Sequence, residues 1–344
     1  MMLETPWSSV GYLTYKRTYA QRIGDSNETE EFDDSIMRWI TACDTQLNCG
    51  FTEEEEAKLF YYFKSLKGLP AGRFLWQLGM PTIDRIGLAS LQNCALVVMD
   101  EPVTPFCWIM DMLALGCGVT FNIQRKHVNK IPIVREWFEA PTRVNDYGAD
   151  FIVPDSREGW VKLLGKVLKS AFLSEKESKG TFTYSTQCIR GKGVPIKGFG
   201  GVASGPEVLC KGIDDISKIL IGRKGRQLRP IDVLDICCII ASIIVAGNVR
   251  RSATMAIGDP DDIEFLLAKR WDIGGIPTWR AMSNNSVACS DISQLHEYFW
   301  QSYEKEGEPI GLINLELLRS KGRLIDHPII EPNIEGTNPL ILAA

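Results

Sequence analysis

The sequence lacks the patterns that mark metal-binding, disulfide-stapled and membrane-spanning proteins. Its ten cysteines include no CxxC pair, and its three histidines lie far apart, so no run of residues has the ligand spacing of a zinc site. The longest apolar run, residues 231–246, carries two aspartates and is shorter than a bilayer-spanning helix. We therefore expect no metal site and no membrane association, and we interpret the apolar run as a buried helix.

Charge is also not concentrated anywhere in the chain. The 38 Lys and Arg residues are spread among 43 Asp and Glu residues, and the formal net charge is -5. Because no basic field of the kind that attracts nucleic acid results, we expect no direct DNA binding. The first residues show no basic segment followed by an apolar one, and the cysteine pattern fits a reducing compartment. We expect a cytoplasmic location without a signal peptide.

The chain divides by its residue patterns into a helical beginning and an α/β remainder. In residues 1–85, Thr52 precedes four glutamates, which predicts an N-cap, a capping box and a helix start. In residues 86–344, short apolar strand candidates at 95–99 and 119–123 alternate with helical patterns and Gly-rich turns. This alternation is typical of α/β folds.

Two features interrupt the α/β pattern. Residues 126–154 are polar and irregular, and we interpret them as a surface insertion in the second domain. Ser156 then caps a predicted helix whose one face carries Lys162, Lys166 and Lys169. This lysine face is either simply solvated or a site for an anionic ligand.

Residues 191–206 form a glycine-rich stretch ahead of a predicted helix. Six of its sixteen residues are glycine, and Lys192, Lys197 and Ser204 lie among them. Exposed backbone N–H groups and a helix N-terminus can hold phosphate, although neither a Walker loop nor a GxGxxG fingerprint is present. The pattern by itself favours a phosphate cradle and a mobile connecting loop equally.

Three further positions could carry chemistry or simply stabilise the fold. Arg250 and Arg251 could pair with carboxylates or hold a phosphate. The polar run 282–286 comes just before a predicted strand, where both ligand contacts and capped turns occur. Cys94 stands at the head of a strand candidate, either as a core residue or as a thiol at a sheet edge. Spacing alone gives no mechanism.

Eight short motifs follow one another along most of the chain. They occur at residues 72–76 (GRFLW), 91–94 (LQNC), 116–119 (GCGV), 154–160 (PDSREGW), 198–206 (GFGGVASGP), 246–253 (AGNVRRSA), 283–287 (SNNSV) and 335–339 (EGTNP). In this order they resemble the N-terminal part of the adenosylcobalamin-dependent (class II) ribonucleotide reductases of the monomeric ribonucleoside-triphosphate reductase type. Each motif is modest evidence, but their shared order is specific.

The resemblance implies a fold and a reaction. The fold would be α/β, with the helical N-terminal region followed by part of a ten-stranded α/β barrel made of two half-sheets, truncated at the central finger loop. In the reaction, adenosylcobalamin would generate a thiyl radical that removes hydrogen from the ribose C3′. The 2′-hydroxyl would leave as water, while two further cysteines become a disulfide.

The resemblance also implies roles for individual residues. Cys94 would be the first of the two reducing cysteines, and Asn338 would be an orienting residue of the catalytic site. Substrate would be bound by Ala203, Ser204, Gly205, Ser283, Asn284 and Asn285. A deoxynucleotide effector would act through a loop that contains Lys192, Gly193, Lys197, Gly200 and Gly201. The insertion at 126–154 would complete the effector site.

The last residues complete the set of expectations. In the family, Asn-Pro is followed by the radical cysteine, whereas here Asn338-Pro339 is followed by Leu340. The resemblance therefore implies a partner C-terminal half, besides a ribonucleoside triphosphate substrate and a thioredoxin-like reductant. The alternative is a catalytically inactive nucleotide-binding fragment or one half of a split enzyme.

Overall fold

The computed structural model describes most of the chain. The described residues are 4–23, 28–174, 176–178, 180–194, 202–246, 249–250, 253–305, 307–309, 311–321 and 330–337. Contacts divide the chain into two compact units, Met1–Asn93 and Cys94–Ala344. The domain bounds inferred from the sequence stay predictions. Among the described residues, no helix is both long and apolar enough to cross a bilayer.

The first unit is helical. Its helices are α1 (Ser9–Thr18), α2 (Phe32–Leu47), α3 (Glu53–Lys64), α4 (Gly72–Gln77) and α5 (Pro81–Ile86). Tyr15, Phe32 and Trp39 are central to its buried core. The capping box predicted at Thr52 is confirmed, since the Glu55 backbone N–H donates to Thr52 Oγ1 at 3.3 Å and the Thr52 backbone N–H donates to Glu55 Oε2 at 2.9 Å.

The second unit alternates strands and helices. In chain order these are β1 (Cys94–Val98), α6 (Thr104–Ala114), β2 (Gly118–Asn122), α7 (Arg125–Val128), β3 (Thr142–Arg143), β4 (Phe151–Ile152), α8 (Arg157–Phe172), β5 (Thr183–Ser185), α9 (Pro206–Gly222), α10 (Pro230–Ile243), β6 (Val245–Ala246), β7 (Val249–Arg250), β8 (Thr254–Gly258), α11 (Ile263–Leu266), β9 (Ser283–Ala288), α12 (Glu297–Glu304), β10 (Gly311–Ile313) and α13 (Leu315–Lys321). The predicted α/β class is confirmed.

Five strands form the central sheet in the order β1-β2-β8-β9-β10. All four neighbouring pairs are parallel. Every residue of β2 and of β8 is buried, as expected for parallel strands that are covered on both faces. Five parallel strands fit one half-sheet of the ten-stranded barrel that the resemblance implies.

The strand register defines two faces of this sheet. Leu96 lies opposite Thr120, Thr120 opposite Met255, and Met255 opposite Asn284, so these four side chains share one face, which we call the inner face. Alternate residues such as Phe121 point to the other face. We call that second face the helix face, because α6 and α10 contact its strands.

Four helices pack together beside the helix face. The contacting pairs are α6 with α8, α6 with α10, α9 with α10 and α8 with α9. Nearly all of α10 is buried, which confirms the interpretation of the apolar run as a buried helix. The predicted N-cap of α8 is confirmed as well, because the Gly159 backbone N–H donates to Ser156 Oγ at 3.0 Å.

A buried ion pair joins α10 to the segment before β9. Asp235 accepts hydrogen bonds from Arg280 Nε at 2.6 Å, Arg280 Nη2 at 2.8 Å and Trp279 Nε1 at 2.9 Å. Both charged side chains are nearly buried, with 12% and 13% of their surfaces exposed. Removing one member of such a pair leaves the other buried charge without compensation.

Asp235→Ala should therefore lower the free energy of unfolding by about 3–5 kcal/mol. Urea denaturation followed by circular dichroism measures this change. The control is Glu264→Ala, which removes a half-exposed partner of Arg229 and should cost about 0–1 kcal/mol. Equal effects of the two substitutions would contradict a special role for the buried pair.

Candidate functional site

Polar side chains interrupt the apolar inner face at a few positions. Cys94 begins β1, two residues before Leu96, and is half-buried opposite Gly118. Thr120 and Asn122 are fully buried on β2, and Asn284 is exposed on β9. Because these residues occupy equivalent positions of neighbouring strands, a thiol, a hydroxyl and two amides share one surface. The alternation of polar and apolar residues in 118–122 was a signal for Thr120 and Asn122 that the sequence analysis did not use.

Residues 334–337 run across the inner face in the direction opposite to β2. Asn122 Nδ2 donates to the Glu335 carbonyl at 2.8 Å, and Thr120 Oγ1 donates to the Thr337 carbonyl at 2.7 Å. The chain thus advances from the carboxyl end of β2 towards the end at which Cys94 lies. The predicted catalytic residue Asn338 follows Thr337 in the sequence but lies outside the described residues.

Gly336 fits this crossing because it has no side chain. A Cβ atom there would collide with the Cδ1 atoms of Leu96 and Ile257, both on the inner face. Ile334, two residues earlier, packs against the apolar cluster around Met255 and Ile257. The segment therefore lies directly on the sheet.

Three basic side chains surround the carboxylate of Glu335. Lys126 Nζ lies 2.6 Å from Oε2, His127 Nε2 lies 3.2 Å from the same oxygen, and Arg319 Nη2 lies 3.0 Å from Oε1. Burial opposes ionisation of Glu335, but the hydrogen bonds from Lys126 and His127 outweigh it, so the pKa of this carboxyl lies below its ordinary value. Glu335 is thus a carboxylate at neutral pH.

His127 is a neutral member of this cluster. Burial lowers its pKa, and the hydrogen bond to Glu335 only partly opposes that shift. A carboxylate only accepts hydrogen bonds, so Nε2 carries the imidazole hydrogen. Nδ1 is then a buried acceptor that has no hydrogen-bond partner among the described residues.

The predicted substrate residues of β9 separate to opposite faces. Ser283 and Asn285 are buried on the helix face, where Cys238 of α10 approaches Ser283 Oγ at 3.4 Å and Ser283 Oγ donates to Asn285 Oδ1 at 2.9 Å. Asn284 alone points to the inner face. The physical reason is the period of two in a strand, which places neighbours on opposite sides.

An ion pair contacts the first half of β9. Among the described residues, β10 pairs with β9 from Ser286 onward. Before that point, Lys269 Nζ donates to the Ser283 carbonyl at 2.6 Å and Glu308 Oε2 accepts from the Asn285 backbone N–H at 2.7 Å. Lys269 and Glu308 also pair with each other at 2.9 Å. This arrangement holds the backbone on either side of Asn284.

The two described ends of the glycine-rich stretch, residues 191–194 and 202–206, contact each other before α9. The Gly193 backbone N–H donates to the Ala203 carbonyl and the Ala203 backbone N–H donates to the Val194 carbonyl, both at 2.8 Å. Gly205, with φ +78°, precedes the helix, and a Cβ there would lie 3.0 Å from the Lys192 nitrogen. The structure thus brings Lys192 and Gly193 together with Ala203, Ser204 and Gly205 at a helix N-terminus.

Several predicted positions cannot be placed. The effector-loop residues Lys197, Gly200 and Gly201 lie outside the described residues, as does Arg251, and the side chain of Arg250 is not described either. One residue that the sequence analysis missed lies beside the stretch. Arg143 on β3 pairs through both terminal nitrogens with Glu207 in the first turn of α9, each at 2.9 Å. No local pattern marks Arg143, because its partner is 64 residues away.

A cavity of about 820 Å³ opens between α6, α8 and the residues before β5. Its lining combines Lys162, Lys166 and Lys169 of the lysine face of α8 with Phe182 and with three carboxylates, Asp111, Asp150 and Glu177. Lys166 Nζ lies 5.2 Å from the ring centre of Phe151 and 5.9 Å from that of Phe182. A cavity that combines cations with an aromatic ring can hold an anionic group and a flat ring system.

Comparisons with known proteins show what the whole chain is similar to. Residues 133–220 match the family described as the insertion domain of B12-dependent ribonucleotide reductase. The adenosylcobalamin-dependent ribonucleoside-triphosphate reductase of Lacticaseibacillus paracasei is 32% identical over 97% of this chain and 52% of its own length. The enzyme of the same name from Lactobacillus leichmannii is 31% identical over the same shares.

A solved structure extends the similarity to the fold. It is the crystal structure of a B12-dependent (class II) ribonucleotide reductase, with a TM-score of 0.81 and 28% identity over 98% of this chain and 54% of that one. The chain is similar to about half of a class II ribonucleotide reductase. The chain spans about half the length of the curated relatives it matches.

The range that matches the insertion domain of class II ribonucleotide reductases includes much of the region around the cavity. It begins within the segment 126–154 that the sequence analysis interpreted as an insertion, and it continues to residue 220. It therefore contains α8 with its lysine face, the glycine-rich stretch 191–206 and most of α9.

The separation of the β9 residues gives a direct stability test. Asn285→Ala should lower the free energy of unfolding by about 1–3 kcal/mol, because it leaves the buried Ser283 hydroxyl without its acceptor. Asn284→Ala, one residue away, should stay within about 0.5 kcal/mol of the unmodified chain. Chemical denaturation of both variants measures the difference, and the reverse order would show that the faces are assigned incorrectly.

Proposed function

We propose that this chain supplies the nucleotide-binding part and one reducing thiol of an adenosylcobalamin-dependent ribonucleoside-triphosphate reductase. The observation that carries the proposal is the common surface formed by Cys94 and Asn284 on the inner face, with residues 334–337 lying across it. The similarity to class II reductases supplies the reaction. The geometry supplies the place where thiol and nucleotide would meet.

In the proposed reaction the ribose 2′-hydroxyl leaves as water. Two thiols provide the two electrons and two protons, and they become a disulfide. Cys94 is one of these thiols, and the second comes from the C-terminal half that the resemblance implies. A thiol at the start of a strand and half-buried is accessible to such exchange, unlike the fully buried Cys237 and Cys238 of α10.

Adenosylcobalamin supplies the radical that starts the reaction when it is bound. On the inner face, the half-buried Cys94 and the exposed Asn284 fit thiol chemistry and nucleotide contact, whereas Thr120 and Asn122 are buried and donate to residues 334–337. We therefore assign Cys94 to reduction and Asn284 to nucleotide binding. We assign no residue of this chain to binding of the cofactor.

Substrate phosphates would lie at the N-terminus of α9. Ser204 offers a hydroxyl, and Gly205 leaves the backbone accessible where the positive end of the helix dipole favours anions. Asn284 would contact the nucleotide from the inner face. Ser283 and Asn285 would act behind the sheet by supporting Asn284, since neither side chain points to the inner face.

The deoxynucleotide effector would bind in the cavity beside α8. Its lysines suit a triphosphate and Phe182 suits a base, and much of its lining lies in the range that matches the insertion domain. The loop around Lys192 and Gly193 would connect this site to the substrate phosphates. A thioredoxin-like protein in the cytoplasm would reduce the disulfide after each turnover.

The decisive experiment adds a C-terminal half of the kind that the relatives contain. The purified chain is assayed with adenosylcobalamin, a nucleoside triphosphate and a dithiol, with and without a separately expressed C-terminal half from a relative. Turnover on mixing supports the proposal. Nucleotide binding without turnover in either assay would favour the alternative, a nucleotide-binding module without catalysis.

Cys94→Ser in the mixed enzyme should abolish multiple turnover with dithiol, because one electron-donating thiol is lost, while nucleotide affinity stays unchanged. Steady-state assays and equilibrium binding measure the two quantities. The control is Cys289→Ser, which removes another partly buried thiol at the opposite end of the sheet. Normal turnover of the Cys94 variant would show that this thiol has been assigned incorrectly.

Lys166→Gln should weaken deoxynucleotide binding roughly 10- to 100-fold, since a hydrogen bond to a charged group contributes about 1.5–3 kcal/mol. Equilibrium dialysis with a labelled deoxynucleoside triphosphate measures the affinity of this chain. Lys211→Gln is the matched control, because Lys211 is an exposed lysine on α9 that already pairs with Asp215. An equal loss in both variants would indicate nonspecific attraction by charge.

A further inference from the structure

The backbone contacts of residues 334–337 do not by themselves select a register along β2. Asn122, Thr120 and Arg319 donate to the carbonyl groups of Glu335, Thr337 and Ile334. Every residue has a carbonyl group, so a shift of the segment by two residues would leave the contacts with Asn122 and Thr120 possible.

Two side-chain positions in the segment are specific. At position 335 the carboxylate meets Lys126 and His127 from α7 and Arg319 from α13. At position 336 a Cβ atom would displace the Cδ1 atoms of Leu96 and Ile257. After a shift by two residues, Asn333 or Thr337 would face the three basic groups, and neither carries a charge. Ile334 or Asn338 would replace Gly336, and either side chain would force Leu96 and Ile257 to move.

We propose that Glu335 and Gly336 together set the register of residues 334–337 on the inner face, with Glu335 as a positioning residue for the reaction. The functional part of this inference rests on the proposed function. A shift by two residues moves the chain by about 7 Å along β2. Asn338 follows immediately in the sequence, so the placement of Glu335 governs where the chain continues relative to Cys94.

The first test of this proposal is independent of catalysis. Glu335→Gln keeps the shape of the side chain and removes its charge. Because Glu335 raises the pKa of His127 against the effect of burial, the variant should show a further lowered His127 pKa in an NMR titration. With three histidines in the chain, the signals are few. Hydrogen exchange of the peptide that contains residues 334–337 should become at least about tenfold faster, as for a segment that opens locally.

The matched control is Glu316→Gln, which removes an exposed carboxylate from the first turn of α13. It should change neither the His127 pKa nor the exchange of residues 334–337. Gly336→Ala, which keeps every charge, should accelerate the same exchange. An unchanged His127 pKa and unchanged exchange in Glu335→Gln would overturn the proposal.

The second test uses the chain mixed with the C-terminal half from a relative. In Glu335→Gln, kcat should fall about 100-fold while KM for the nucleotide changes less than about twofold, because displacement of a catalytic segment impairs chemistry rather than binding. An unchanged kcat would overturn the positioning role. If the unmodified mixture shows no turnover, the proposed function fails, whereas the titration and exchange experiments still decide whether Glu335 sets the register.

Discussion

The strand β2 pairs with β1 on one side and with β8 on the other, and all five of its residues are buried. This double pairing determines the direction of every side chain in the candidate site. It places Cys94 beside Gly118, Leu96 beside Thr120, and Asn122 under the Glu335 carbonyl. A slip of one residue would turn Thr120 and Asn122 towards the helices, where neither would meet residues 334–337.

Polar side chains hold the backbone in place where the sheet ends. Lys269 and Glu308 hold the edge of β9 that lies beyond β10, and each also satisfies a backbone group of that edge. Lys126, His127 and Arg319 hold Glu335 at the carboxyl end of β2. Burying charge is costly, and the buried Lys269 is compensated by its ion pair with Glu308 and its hydrogen bond to the Ser283 carbonyl. The consequence is irregular backbone with defined positions around a regular sheet.

The helix α9 links the two candidate binding regions. Its first turn follows Ser204 and Gly205, and it packs against α8, whose lysine face lines the cavity. Arg143 of β3 binds the same first turn through Glu207. A ligand that contacts α8 or β3 would therefore contact an element that itself touches α9.

The sequence by itself determined the local features of this protein. The helix starts at Thr52 and Ser156, the buried α10, the alternation of strands and helices and the ordered family motifs were all predictable, because each depends on residues within a few positions of one another. The position of Cys94 at the head of a strand was predictable for the same reason. Its neighbours on the inner face were not.

Only the tertiary structure decided which of the predicted residues act together. It separated Asn284 from Ser283 and Asn285, a distinction that depends on the register of β9 against β8 rather than on the motif that contains all three. It also brought Glu335 to Lys126 and His127, which are more than 200 residues earlier in the chain. Such contacts follow from closure of long segments over a common sheet, and no pattern of near neighbours encodes them.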